Sequence, residues 1–279
     1  MSENCVVIRS NQNQYVSLTR GLSSKKNREE KQLFRFDGIK LFGEAVACGL
    51  SIEKVVLSLG ASGNVRDAVE REIESGRLES SRVMLVGEEV FSKISEERSP
   101  EGIVTVARAL EKKHRTHTEL GGFCIGREER ILVAESLRDP GNLGTVIRSC
   151  AALGIDRLVI SDDCADLYNP KTIRAAMGGL FRMDVDVIPT NELAAAIGLL
   201  RASGRRVFAA ALREDAHALG ELELRRGDCF VIGNEGHGLS ERVISACDAC
   251  AIIPMTEGSE SLNAAAAAAI CIWETVRAK

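Results

Sequence analysis

From residue 131 onward the chain repeats short apolar runs of strand length, at 131–137, 157–161, 185–189, 207–212, 229–233 and 251–254, with helix-length stretches between most of them. Strands that are apolar on both faces and joined by helical crossovers build a largely parallel sheet covered on both sides. This pattern constrains the fold more than any other feature, because ligands of such sheets sit beyond the carboxyl ends of the strands. Chemistry is therefore expected in the loops that follow each run. Periodicity alone suggests a doubly wound, Rossmann-like α/β arrangement, since knotted chains are nearly absent from proteins.

The N-terminal part reads as a separate, smaller α/β unit. Residues 1–24 are polar and expected to be flexible. LFRFDGIKLFGEAVACG then gives a strand, a turn at Asp37-Gly38 and a helix closing at Gly49. Further strands are expected in VVLSL and VMLV, with a polar helix over 64–75 between them. The stretch EKKHRTHTELGG carries charge and a glycine pair but no apolar period, which puts the junction near 111–122. At 279 residues the chain exceeds the roughly 100 to 200 residues of a usual domain. The expected division is 1–24, 25–118 and 119–279.

Nine cysteines, an odd number scattered over a chain with ample apolar content, point to reduced thiols. Cys247 and Cys250 have metal-ligand spacing, but no second pair stands at a fitting distance, and no metal is expected. The opening MSENCVVIRS lacks the basic flank and apolar run of a signal peptide, and the longest apolar stretch, 264–273, is too short to span a bilayer. A cytoplasmic protein with no membrane partner is expected. The formal net charge of −4 argues mildly against a polyanion partner, yet residues 20–40 hold seven basic and three acidic side chains. Arg20, Lys25, Lys26, Arg28, Lys31, Arg35 and Lys40 could meet a nucleic-acid backbone; a solvated helix face explains the charge equally well. His114 and His117 have no evident partners.

Three segments carry the candidate chemistry. In ILVAESLRDPGNLGTVIRSCAALG a strand leads into a helix that stops at Gly154, with Asn142 as the expected N-cap. At about 100° per residue, Leu143, Val146, Ile147 and Cys150 share one face of that helix while Arg148 points away from it. An isolated arginine there reads as a surface salt bridge. In CFVIGNEGHGLSERV a strand ends in three glycines within six residues, before a helix capped at Ser240. Glycines allow positive φ and close approach of a ligand to bare backbone amides. Glu235 between them has few groups to satisfy it except a ligand, a helix N-terminus or a partner subunit. AIIPMTEGSESLNAAAAAAICIWETV gives a strand, a loop and a helix starting near 261–263, for which Ser261 could be an ordinary N-cap. Its alanine run implies close packing on another backbone, in an interior or a subunit interface.

DPGNLGTVIRS, VIGNEGHGLS and IPMTEGSESLNAAAAAA, in that order and spacing, resemble the three signature motifs of the SpoU (TrmH-type) RNA ribose 2′-O-methyltransferases of the SPOUT superfamily. The likeness runs from Ile131 to the C-terminus, and NPKTIRAAMGGLFRM falls correctly between the first two motifs. FRFDGIKLFGEAVACG is similar to the start of the ribosomal-protein-like substrate-binding domain often fused upstream. The resemblance replaces the plain doubly wound fold with a SPOUT-type parallel sheet holding a deep trefoil knot, formed from about Gly233 onward.

It further implies S-adenosylmethionine as methyl donor, held by loops containing Gly233, Asn234, Glu235, Gly236, Gly238, Ile253, Met255, Ser261 and Leu262. Asn142, Arg148, Glu235, Ser261 and Asn263 fall on the family's active-site positions. The implied reaction is attack of a ribose 2′-hydroxyl on the sulfonium methyl. Arg148 would orient and deprotonate the hydroxyl or anchor the adjacent phosphate, and because a guanidinium stays protonated at ordinary pH, a base role demands an unusual environment. A homodimer is implied, with Arg148 approaching a cofactor bound by the other protomer. The partner is RNA, ribosomal favoured over transfer RNA by the fused N-terminal domain, and Arg174 joins Lys25, Lys26, Arg28, Arg35 and Lys40 as an RNA candidate. Ala175-Ala176 stands where some relatives have a hydroxyl residue. A nicotinamide dehydrogenase is disfavoured by the missing G-x-G-x-x-G after the first strand. A catalytically inactive RNA-binding accessory protein is disfavoured by the intact motif residues.

Overall fold

The computed structural model describes residues 7–126, 128–234, 236–256 and 261–278. The chain divides into two units, Met1–Leu110 with Tyr168–Phe181, and Glu111–Leu167 with Arg182–Lys279.

The first unit runs β1 (Val7–Ile8), α1 (Gln14–Gly21), α2 (Lys25–Lys31), β2 (Leu33–Asp37), α3 (Ile39–Ala47), β3 (Ile52–Ser58), α4 (Gly63–Glu74), β4 (Val83–Val86), α5 (Glu88–Phe91) and β5 (Ile103–Arg108). Its sheet has the order β1-β4-β3-β5-β2, with β5 antiparallel to β3 and β2 and the other pairs parallel. Successive residues of a strand face opposite sides. Val55 and Leu57 accordingly pack with Phe42, Val46, Val65 and Val69, while Val56 packs with Val16, Val90 and Phe91. Both faces are covered, which is why VVLSL is apolar without alternation. Residues 14–21 are a helix where flexibility was expected: Asn13 Oδ1 accepts the Tyr15 N–H at 2.9 Å, and Val16, Thr19 and Leu22 are buried. That stripe is too sparse to stand out from the polar residues around it.

The second unit runs β6 (His114–Thr116), β7 (Ile131–Ala134), α6 (Pro140–Leu153) and β8 (Arg157–Ser161). The next helix, α7 (Pro170–Ala176), groups with the first unit. There Phe181 and Tyr168 pack on the Phe34 ring, at 6.2 and 4.6 Å between centroids. The second unit resumes with β9 (Asp184–Ile188), α8 (Leu193–Ala202), β10 (Val207–Ala210), β11 (His217–Ala218), β12 (Cys229–Ile232), α9 (Glu241–Ala246), β13 (Ala249–Ile252) and α10 (Ala264–Arg277). The sheet order is β11-β13-β10-β12-β7-β8-β9-β6, and the described pairings are parallel. The apolar runs thus become a large parallel sheet, its core built from residues such as Val133, Val159, Ile197, Val207 and Val231. Strand order reverses between β7 and β12, so the carboxyl-end loops of these neighbours open a crevice, the usual place for a ligand in such sheets. The alanine-rich α10 packs on α6 and β12, with Ala264, Ala265 and Ala268 buried.

β6 lies inside the polar stretch expected to be a linker. It pairs with β9 at the sheet edge, and charge rather than apolar burial holds it. Arg115 donates to both oxygens of Asp186 at 2.9 and 3.0 Å, Arg157 donates at 2.8 Å, and His117 Nε2 lies 2.6 Å from Oδ1. The histidines therefore do have a setting, His117 against Asp186 and His114 buried in the strand. Burial alone would raise the Asp186 carboxyl, but the hydrogen bonds from Arg115, Arg157 and His117 prevail and hold it at about 2. Its stabilising contribution is complete above the ordinary value of 3.8 and is lost as pH falls toward about 2. Asp186→Asn should flatten the acid limb of a melting-temperature profile in that window and lower the melting temperature at neutral pH by several degrees. A profile that keeps the wild-type acid limb would contradict this.

Candidate active site

The first motif is shaped by its helix cap. Asp139, not Asn142, is the N-cap of α6: its Oδ1 accepts the Asn142 N–H at 2.9 Å, and Pro140 follows in the first turn, where a missing N–H costs nothing. Asn142 is thereby released from capping, and its Oδ1 accepts from Asn263 Nδ2 at 3.0 Å. Asn263 in turn is the N-cap of α10, its Oδ1 accepting the N–H groups of Ala265 and Ala266 at 2.9 and 3.3 Å. With that oxygen occupied, only its amide N–H is left to meet Asn142. The cap expected at Ser261 is corrected likewise, and Ser261 stands exposed in the loop before the helix. Arg148 lies on the exposed face of α6, opposite the buried Leu143, Val146, Ile147 and Cys150. Among the described residues no hydrogen bond or ion pair engages its guanidinium, so the salt bridge expected of an isolated arginine is not made within the described chain.

The second motif is a tight backbone loop. Asn234 and Gly238 exchange N–H···O bonds in both directions, each 3.0 Å, while Asn234 Oδ1 accepts from Gly236 N at 2.8 Å and His237 N at 3.3 Å. A Cβ on Gly233 would stand 2.4 Å from the Gly238 carbonyl carbon, and Gly238 itself has φ +66°. These are the two positions where glycine is required; Gly236 has ordinary space around it. Ser240 caps α9 as expected, accepting the Val243 N–H at 3.3 Å. Glu235 lies outside the described residues.

A cavity of about 440 Å³ opens at the carboxyl ends of β10, β12 and β13. Gly233, Asn234, Gly236, Gly238, Ile253, Met255, Ser261 and Leu262 all line it, so the described residues that the resemblance assigns to the cofactor converge on one space. His237 lines it too. Asn142, Asn263 and Arg148 are not among the lining residues. Charge on the wall comes from Arg213 and Glu241, joined by two bonds of 2.9 and 2.8 Å that no motif announced. Other unforeseen residues cluster behind the first motif. Asp163 accepts from Ser136 Oγ at 2.6 Å, Ser161 Oγ at 2.7 Å, Arg138 at 3.0 Å and Thr190 Oγ1 at 3.1 Å. Burial would raise its carboxyl, but these hydrogen bonds outweigh that and hold it at about 2.

The basic candidates of the first unit separate into two kinds. Lys25, Lys26, Lys40 and Arg174 are exposed. Arg28 and Arg35 are buried, Arg35 to 1% exposure, and are corrected as RNA contacts. Arg28 Nη1 donates to the carbonyls of Leu22 and Ser23 at 2.7 and 2.8 Å. Arg35, between Phe34 and Phe36 in a strand buried on both faces, pairs with Glu96 at 2.7 Å and donates to the carbonyl of Ile94. Counting charges along the sequence cannot separate these inward-folded ties from a solvated patch.

A parallel sheet with a glycine-lined cavity at its carboxyl ends, walled by the second- and third-motif loops, and an exposed arginine on α6 together define the class. Residues 129–273 match the model of the SpoU rRNA Methylase family, and residues 13–105 match the MRM3-like substrate binding domain. The chain belongs to the SpoU rRNA methylase family. Among its relatives, the 23S rRNA (guanosine(2553)-2′-O)-methyltransferase RlmP of Bacillus subtilis (strain 168) is 30% identical over 266 residues, 95% of this chain and 97% of that protein. Two crystal structures of an rRNA methyltransferase from Sinorhizobium meliloti, one of them AdoMet bound, match 98% of this chain and 98% of theirs at 27% identity, each with a TM-score of 0.79.

Proposed function

We propose that this chain transfers a methyl group from S-adenosylmethionine to a ribose 2′-hydroxyl of ribosomal RNA, working as a cytoplasmic homodimer. The observation that carries the reading is the convergence of the described second- and third-motif residues on one cavity in a member of this family. The wall suits the cofactor: its volume of about 440 Å³ falls in the roughly 300–1,000 Å³ range of small-molecule sites. Close-packed glycine backbone and apolar side chains such as Ile232, Ile253 and Met255 offer amides and a dry surface. Gly233–Gly238, Ile253, Met255, Ser261 and Leu262 would hold S-adenosylmethionine, which supplies an electrophilic methyl group on sulfur.

The protein's share is placement of the hydroxyl in line with that methyl and control of one poorly acidic proton. Arg148 orients the ribose through the hydroxyl or the neighbouring phosphate, a planar fork suited to bidentate anion contact. The Asn142–Asn263 pair holds the first and third motifs in register. Arg148 is absent from the cavity wall of its own protomer, which supports a site completed by a second copy. Leu262, Ile270 and Trp273 are exposed, the last two on α10, Trp273 to 55%, and supply the apolar surface such a contact needs. Trp273→Asp should weaken the dimer by tenfold or more, about 1.4 kcal/mol, read by light scattering across a dilution series; a dimer of unaltered strength would count against this face. The knot expected from about Gly233 onward is supported by the return of α10 onto α6 and β12 after β13. No helix among the described residues is long and apolar enough to cross a membrane. Mapping ribose methylation in ribosomal RNA from cells with and without the gene tests the function: one 2′-O-methyl group should disappear, and an unchanged map would favour an inactive RNA-binding protein.

A further inference from the structure

Two residues outside the three motif stretches fasten both ends of the glycine-rich loop. Glu135, directly after β7, is 5% exposed. Its Oε2 accepts the Ser240 backbone N–H at 2.8 Å and its Oε1 accepts the Ser240 hydroxyl at 2.7 Å. Its own N–H donates to the Ile232 carbonyl at 2.8 Å, which locks it to the strand that enters the loop. The next residue, Ser136, has φ +55° and gives its carbonyl to Asn234 Nδ2 at 2.8 Å. Ser136 is held from behind by Ser161 Oγ on its N–H at 2.7 Å and by Asp163 on its hydroxyl at 2.6 Å. Asn234 and Ser240, at either end of the loop, are therefore tied to the two residues that directly follow the neighbouring strand β7.

A buried carboxylate is costly, and an apolar residue would finish β7 equally well for the sheet. Both oxygens of Glu135 instead meet the single residue at which the loop turns into α9. A left-handed backbone at a non-glycine residue such as Ser136 is also rare, and here it aims the carbonyl at Asn234. We infer that Glu135 is a positioning residue for methyl transfer: it fixes Asn234 and Gly236–Leu239 in their cavity-lining arrangement before the methyl donor arrives. The inference rests on the cavity being the S-adenosylmethionine site. If the loop were free, only a fraction of molecules would present the competent wall, and apparent affinity would fall by that fraction. Every residue of this clamp belongs to the second unit, and residues 13–105 of the first match the substrate binding domain, so the clamp is expected to act on the methyl donor rather than on RNA.

The test uses the full-length protein with Glu135→Gln, which keeps volume and one acceptor, and the milder Ser240→Ala. Without ligand, amide exchange over 234–243 should speed up about tenfold in Glu135→Gln. The S-adenosylmethionine dissociation constant by calorimetry, and its KM, should rise about tenfold while the KM for RNA holds. Adding Ser240→Ala to Glu135→Gln should lower S-adenosylmethionine affinity little further, because the hydroxyl contact to residue 135 is shared, while the added loss of the Val243 N–H cap bears on α9. Normal loop exchange and normal S-adenosylmethionine affinity in Glu135→Gln would overturn the inference alone. Equal losses in both KM values with a lower melting temperature would overturn it too, in favour of a general architectural role. A wild-type protein that binds no S-adenosylmethionine would overturn the cavity reading and the inference with it.

Discussion

Replacing Arg148 with alanine should slow methyl transfer by about 10³-fold, the loss typical of deleting one group that acts on the transition state, and leave S-adenosylmethionine affinity within about twofold. The expectation follows from placement. Arg148 is exposed on α6, contributes nothing to the buried face of Leu143, Val146 and Ile147, and is not part of the cavity wall. Its removal therefore costs neither fold nor cofactor. Arg148→Lys, which keeps the charge but loses the fork, should fall between the two. Near-normal turnover by Arg148→Ala would sink the assignment. If each site draws Arg148 from one protomer and the cavity from the other, an equal mixture of Arg148→Ala with a cavity-dead variant should regain about a quarter of wild-type activity, because one site in each mixed dimer is whole.

Gly233→Ala is the cavity-dead variant with the clearest physical cause. The added Cβ would lie 2.4 Å from Gly238 C, 2.6 Å from Gly238 O and 2.6 Å from Leu239 N. Those atoms are backbone, and moving them breaks the paired 3.0 Å bonds between Asn234 and Gly238. The expected cost is about 1 to 3 kcal/mol of stability and a loss of S-adenosylmethionine affinity of more than about tenfold. Gly236→Ala, whose Cβ would meet only Asn234 Oδ1 at 3.5 Å, should bind nearly as well as wild type. Calorimetry on the two variants checks the contrast. Equal affinities would mean that the loop reshapes freely and that close approach at Gly233 has no bearing on the site.

The parts legible in the sequence are those in which local pattern and global fold ask for the same residues. Continuous apolar runs at 157–161 and 229–233 mark strands covered on both faces, and the structure has β8 and β12 there. The outward direction of Arg148 follows from helical spacing, and Ser240 from cap chemistry. What escaped is decided between residues distant in sequence or between equally good local candidates. Asp139 and Asn142 are both competent caps, and so are Ser261 and Asn263; the choice rests on the contact between Asn142 and Asn263. Arg35 counted as surface charge because its burial depends on Glu96 and the Ile94 carbonyl, far along the chain. β6 has no apolar period because its edge is held by Asp186. Glu135 sits just outside the first motif, and its meaning depends on Ser240, more than a hundred residues on.

Methyl transfer to a ribose hydroxyl of ribosomal RNA is the activity on which the roles of Arg148 and of the cavity depend. It is tested most directly by incubating the purified full-length protein with unmodified 23S ribosomal RNA and methyl-labelled S-adenosylmethionine, digesting the RNA to nucleosides and identifying the labelled product by mass spectrometry. Label is expected in a single 2′-O-methylnucleoside, absent when Arg148→Ala replaces the wild-type protein. Label on a base, or none in an RNA the protein demonstrably binds, would contradict it.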